Sequence, residues 1–148
     1  MVELGAGTGL PSIVAALLGG DVVATDLEEN VVLMETNIDL NCRLISDVCV
    51  RAQALSWGDE AAAAALTAEA PIDVIIAADV VYNADVFGAL LSTLDALAGP
   101  ETTVFLAMKD RAWVEGSFFE DAADVFKSRE VPAISVLWIL GGVGAILF

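Results

Sequence analysis

Glu3-Leu-Gly-Ala-Gly-Thr-Gly-Leu-Pro11 is the stretch whose reading decides the fold. It combines the end of an apolar strand, a glycine-dense turn and the first turn of a helix. Glycine at positions 5, 7 and 9 lets the backbone take positive φ and lets a ligand approach with no Cβ in the way. A strand that feeds such a turn and then a helix is how α/β folds build a nucleotide site at the carboxyl end of a sheet. The spacing is not the dinucleotide fingerprint G-x-G-x-x-G, because Leu10 stands where its third glycine would fall. The next apolar run, Val22-Val-Ala-Thr-Asp26, ends in an acid 21 residues after Gly5. An acid there accepts hydrogen bonds from ribose hydroxyls. The plainer alternative is a tight turn followed by a helix-capping aspartate.

Working outward, Pro11 suits the first turn of a helix that runs to Leu18 and stops at Gly19-Gly20. Val31, Met34, Ile38 and Cys42 recur at helical spacing and predict a helix over 28–42. Asp47 to Gln53 is short, alternating and β-branched, and predicts a strand. Residues 59–69 are alanine-rich and read as a short helix or a surface loop, ended by Pro71. Ile72 to Ala78 is a buried strand. Val86, Leu90, Leu91, Leu94 and Leu97 mark an amphipathic helix over 84–98, stopped by Gly99-Pro100. Thr102 to Met108 reads as a strand and Phe118 to Phe126 as a helix. Strand and helix alternate with short turns and no linker. The expectation is a single α/β domain, a Rossmann-like doubly wound, mostly parallel sheet in three αβα layers.

The core of that domain is expected over 1–130, followed by an apolar tail over 131–148. The tail carries no charge. Three readings stand for it: a hairpin with arms 134–140 and 143–148 around Gly141-Gly142, a non-native end such as a misread gene boundary gives, or a membrane span. A span needs about 20 apolar residues, and a proline with three glycines weighs against it.

The chain has 148 residues, enough for one domain with a real core, and 57% of them are hydrophobic. Six basic against 22 acidic residues give a net charge of −16. Such a surface repels phosphate backbones, which disfavours nucleic acid and favours a basic protein or a cationic substrate. The absence of histidine removes a Ser-His-Asp triad, a Cys-His pair and a histidine-based metal site. Two cysteines, Cys42 and Cys49, are too few for a zinc site and fit reduced thiols in a cytoplasmic protein.

Two further stations follow predicted strands. Leu55-Ser-Trp-Gly58 places Trp57 where it would stack on a flat base or simply pack under a loop. Asp79-Val-Val-Tyr82 sets a carboxylate and an aromatic at the mouth of the sheet; alternatively Asp79 caps the next helix, a task that Asn83 would also perform. Taken in order, the glycine loop, Ala24-Thr-Asp26, Asn37-Ile-Asp-Leu-Asn41, Leu55-Ser-Trp-Gly58 and Asp79-Val-Val-Tyr82 resemble the class I, seven-strand S-adenosylmethionine-dependent methyltransferases. More narrowly, they resemble the methyltransferase-like protein-lysine group with its Asp-x-x-Tyr motif. The likeness extends to about Arg111.

The resemblance implies S-adenosylmethionine as cofactor and a protein with an accessible lysine as substrate. It implies that Glu3, Gly5 and Gly7, with Ala6, line the methionine part of the cofactor, that Asp26 binds the ribose, and that Trp57 covers the adenine with Ser56 near its edge. Ser56 stands where relatives often carry an acid. Asp79 and Tyr82, with Ala78 beside them, would face the methyl group and the amine, and no metal is implied. The resemblance also implies a segment ahead of the glycine loop. With the first strand confined to Met1–Leu4, the expectation is a domain incomplete at its N-terminal edge, with weak cofactor affinity. Other functions in view are a small-molecule amine methyltransferase, a nicotinamide dehydrogenase (disfavoured by Leu10 and the two later stations), and an inactive interaction module of the same fold. The expected compartment is the cytoplasm, with the nucleus as the alternative, and no membrane association is expected.

Overall fold

The structure is a computed structural model and describes residues 1–42, 49–109, 115–123, 126, 129–131 and 143–147. Strand β1 (Val2–Leu4) leads to helix α1 (Leu10–Leu17), β2 (Asp21–Asp26) to α2 (Glu28–Cys42), and β3 (Cys49–Ala54) to α3 (Glu60–Glu69). Strand β4 (Val74–Ala78) leads through a 3-10 turn (Ala84–Val86) into α4 (Phe87–Leu97). After β5 (Thr103–Lys109) come α5 (Glu115–Ala123), β6 (Arg129–Val131) and β7 (Val143–Leu147). Residues 59–69 thus settle as a helix, and Asp59 caps it by accepting from the Ala62 N–H at 3.0 Å.

The strands form a seven-stranded sheet in the order β3-β2-β1-β4-β5-β7-β6. The first five are parallel, and β7 runs antiparallel to both β5 and β6. The chain winds outward from β1 to β3 on one side and from β4 to β5 on the other. The order therefore reverses between β1 and β4, and a crevice opens beyond their carboxyl ends. Short as it is, β1 is paired residue for residue on both sides, Val2 to Leu4 against Val23–Thr25 and Ile75–Ala77, and all three residues are buried.

The main core lies between the sheet and α3, α4 and α5. Leu4, Ile75, Leu90, Leu94, Leu106 and Phe118 meet there, and Phe118 sets its ring edge-on to Phe87 at 5.2 Å. On the opposite face Met34 of α2 closes over Ala6 and Ala24. Met34 and Cys42 are buried on the helical stripe expected for α2.

β7 has β5 on one edge and, over Ala145–Leu147, β6 on the other. Arg129 faces Leu147 and Val131 faces Ala145. β7 therefore has a neighbour on each edge over Ala145–Leu147, whereas the expected hairpin rests on the arm 134–140. That arm and the glycine pair lie outside the described residues. The boundary expected after residue 130 falls inside β6. Residues 47–48, at the start of the predicted third strand, also lie outside the description. No helix among the described residues is long and apolar enough to cross a membrane.

The glycine loop closes through Glu3. Its side chain is buried and accepts both the Ser12 N–H, at 2.9 Å, and the Ser12 hydroxyl. Ser12 sits in the first turn of α1, where N–H groups have no partner within the helix, and Pro11 beside it has none to offer. Gly9, at the N-cap, provides no side chain for the task. A carboxylate is also favoured at the positive end of a helix. Burial nevertheless holds the Glu3 carboxyl above its usual range, partly offset by the two bonds from Ser12.

A raised carboxyl value in the folded state means that the native protein binds this proton more tightly than the unfolded chain does. Its contribution to stability then falls as pH rises from the ordinary carboxylate range towards neutrality. Glu3→Gln keeps an acceptor for Ser12 and removes that dependence. In urea titrations the stability of Glu3→Gln relative to the parent should therefore improve as pH rises over this interval; a pH-independent difference would contradict the assignment. Glu3→Ala strands two buried donors and should cost about 2–4 kcal/mol at the acid end of this interval, and less as pH rises.

Candidate functional site

At the crevice the carboxyl ends of four strands surround a cavity of about 380 Å³, a volume suited to a small organic ligand. Gly5 enters from the loop after β1, and Asp26, Leu27 and Asn30 come from the β2–α2 junction. Leu55, Ser56 and Trp57 follow β3, and Asp79, Val80 and Tyr82 follow β4. Val86 and Ala89, at the start of α4, complete the wall. Of the residues anticipated from sequence, Gly5, Asp26, Ser56, Trp57, Asp79 and Tyr82 converge here. Glu3, Ala6, Gly7 and Ala78 do not line the cavity. Glu3 is turned onto Ser12, and Ala6 is buried on the far side of the loop under Met34.

Backbone bonds stitch the strand ends together. The Ala6 N–H donates to the Thr25 carbonyl at 3.0 Å, the Leu55 N–H to the Asp26 carbonyl at 2.8 Å, and the Thr25 hydroxyl to the Glu3 carbonyl at 2.6 Å. From α2, the Asn37 amide donates to the Thr8 carbonyl at 2.8 Å and pins the crest of the glycine loop. The Gly7 N–H reaches across to Asp26 Oδ2 at 2.7 Å.

Asp26 Oδ1 accepts from the Leu27 N–H at 2.7 Å and from the Asn30 amide at 2.8 Å. A carboxylate accepts about four hydrogen bonds, so one further donor fits without rearrangement. A vicinal diol, with two donors, fits if Asn30 swings aside, and Asn30 is the one side chain among the three donors. Sequence reading missed Asn30, although its place four residues after Asp26 on a helix was the signal for it.

Gly5 holds positive φ, 64°, and its missing Cβ leaves the space into which Trp57 leans. A Cβ at Gly5 would lie 2.9 Å from Val80 Cγ1 and 3.2 Å from Trp57 Cζ2. Gly7 also has positive φ, 55°, but a Cβ there would meet nothing within 4 Å. Asp79 is the non-glycine residue among those described that takes positive φ, 56°. Aspartate tolerates this conformation better than most residues, and strain of this kind is often held where a side chain must be aimed. Its N–H donates to the Ala107 carbonyl at 2.6 Å, the last tie of β4 to β5 before the chain lifts towards the cavity. Asn83, not Asp79, caps the following turn, through its side-chain oxygen and the Asp85 N–H at 3.0 Å.

Among the described residues the wall carries two carboxylates, Asp26 and Asp79, and two aromatic rings, Trp57 and Tyr82, but no lysine or arginine. That combination attracts a cation, by Coulomb attraction and by the ring faces. No group of three or more residues suited to a metal occurs among the described residues.

The two glycines give a stability test. Alanine at either position pays for left-handed backbone, about 1–2 kcal/mol. Gly5→Ala must also displace Trp57 and Val80. Thermal melts should show Gly5→Ala losing clearly more than Gly7→Ala, and equal losses would put Trp57 elsewhere.

A family model described as lysine methyltransferase matches residues 1–125. The chain is 36% identical over 131 residues to protein N-lysine methyltransferase METTL21A of Danio rerio, covering 88% of this chain and 59% of that protein. It is 38% identical over 132 residues to EEF1A lysine methyltransferase 3 of Mus musculus, covering 89% of this chain and 51% of that one. The chain thus spans about half the length of the curated relatives it matches. Among solved structures, a TehB-like SAM-dependent methyltransferase from Corynebacterium glutamicum superposes with a TM-score of 0.66 at 18% identity, over 99% of this chain and 77% of that one. Magnesium protoporphyrin IX methyltransferase from Synechocystis, solved with bound SAM, gives 0.63 at 15% identity, over 99% of this chain and 67% of that one. Those two likenesses are of fold, the doubly wound sheet with its crevice between β1 and β4. The match along residues 1–125 takes in every wall of the cavity, from Gly5 to Ala89, and the chain belongs to the lysine methyltransferase family.

Proposed function

We propose that this chain transfers a methyl group from S-adenosylmethionine to the amine of a protein lysine. The observation that carries the proposal is the convergence of Asp26, Trp57, Asp79 and Tyr82 on one cavity, in a chain of this family. S-adenosylmethionine supplies an electrophilic methyl group on a cationic sulfonium. In this reading Asp26 holds the ribose hydroxyls, Trp57 covers the adenine with Ser56 at its edge, and Gly5 gives the backbone path along the methionine part, with Ala6 and Gly7 holding the loop behind it. Glu3 supports that path through Ser12 rather than by touching the ligand.

Methyl transfer from a sulfonium is an in-line displacement in which alignment of amine and methyl supplies much of the rate. The lysine must arrive neutral, against a free pKa of about 10.4. Passage into an apolar channel lowers that value, whereas a charged Asp79 at close range raises it. Asp79 therefore serves to orient the amine, by accepting its N–H, and not as a base. Tyr82, 55% exposed at the rim, walls the approach of the side chain. A net charge of −16 suits a lysine-rich protein target over nucleic acid. The cytoplasm, or the nucleus, is the compartment we assign, in keeping with the free thiols of Cys42 and Cys49.

Calorimetric titration with S-adenosylhomocysteine, with NAD as control, tests the proposal. Binding of the first and not the second, lost in Asp26→Ala, is the expected result. A folded chain that binds neither would leave an interaction module of this fold, and preference for NAD would make it a dehydrogenase.

A further inference from the structure

We infer that Thr93, in the middle of α4, is a positioning residue that seats Trp57 in the wall of the cavity. The inference rests on the cofactor reading above for its consequence, but its geometry stands apart from it. Trp57 is carried by a short turn between β3 and α3. One end of that turn is tied to β2 through the Leu55 N–H and the Asp26 carbonyl. Its other end leaves through Gly58, whose φ of 87° directs its N–H down onto α4.

There the Gly58 N–H donates to Thr93 Oγ1 at 2.8 Å. The Thr93 hydroxyl in turn donates to the Ala89 carbonyl, four residues back in its own helix, at 2.9 Å. That internal bond fixes the rotor, so that a lone pair of the oxygen faces the loop. Thr93 is 2% exposed and Gly58 lies on the solvent side of it, so the bond between them is half-buried. Ala89, one helical turn away on the same face, completes the seat: a Cβ at Gly58 would lie 3.5 Å from the Ala89 Cβ. Ala89 itself lines the cavity. The face of α4 that carries Ala89 and Thr93 therefore determines how deep the Trp57 turn sits.

Removal of the hydroxyl takes away the acceptor of the Gly58 N–H and frees that end of the turn. Loss of a bond of this kind corresponds to roughly a five- to tenfold change in affinity where the turn carries a ligand contact. Thr93→Val, of nearly the same shape, and Thr93→Ser, which restores the oxygen, separate the hydroxyl from packing. Two readouts apply, both well below the melting transition: S-adenosylhomocysteine affinity, and hydrogen exchange of the Gly58 amide in the ligand-free protein.

Thr93→Val should bind S-adenosylhomocysteine about five- to tenfold more weakly and exchange Gly58 faster. Thr93→Ser should stay within about twofold of the parent on both. Parental affinity in Thr93→Val, or equal weakening in Thr93→Ser, would overturn the inference. If the parent itself binds no S-adenosylhomocysteine, the proposed function falls, and the exchange rate alone decides the role of Thr93: acceleration in Thr93→Val upholds it and an unchanged rate overturns it. Thr93→Ala repeats the comparison should the valine variant fail to fold.

Discussion

A buried carboxylate on the first turn of a helix is the contact from which the rest of this site follows. Glu3 takes both donors of Ser12, and so the end of β1 and the start of α1 are held a fixed distance apart. The glycine loop has to span that gap, and it does so with Gly5, Gly7 and Gly9 all at positive φ. Its conformation in turn presents the Gly7 N–H to Asp26 and leaves the space beside Gly5 for Trp57. The cost is a carboxylate kept out of water. The fold accepts it because the helix end needs an acceptor that neither Gly9 nor Pro11 provides.

Parallel pairing does the remainder. Because β1 lies between β2 and β4, and β2 beside β3, all the loops at the carboxyl ends rise on one side of the sheet. Residues from 5 to 89 in the chain thereby share a single cavity. Three of the four loops are anchored outside the lining, by Asn37 on the glycine crest, by Thr93 under the Trp57 turn and by the Ala107 carbonyl at Asp79. The side chains facing the ligand space are thus set by contacts that do not touch it.

Much of this was legible in the sequence. Gly5, Gly7 and Gly9 gave the loop, and the β-branched runs ending at Asp26 and Ala78 gave strands whose last residues had to lie at the crevice. What stayed hidden depended on contacts distant in sequence. Nothing at Glu3 says that its side chain turns onto a serine nine residues on rather than into the cavity. A threonine inside an amphipathic helix carries no mark of a loop resting on it, so Thr93 was missed. In the tail an unbroken apolar composition left register unspecified. The glycine pair suggested a turn and lies outside the described residues; β7 lies between β5 and β6.

The measurement that tests the account most directly is a crystal structure of the chain with S-adenosylhomocysteine. The adenine should lie against the Trp57 ring, the ribose hydroxyls on Asp26 with the Asn30 amide moved off Oδ1, and the sulfur should be directed towards Asp79 and Tyr82. A ligand bound outside this cavity, or one within it that leaves Asp26 and Trp57 untouched, would contradict it.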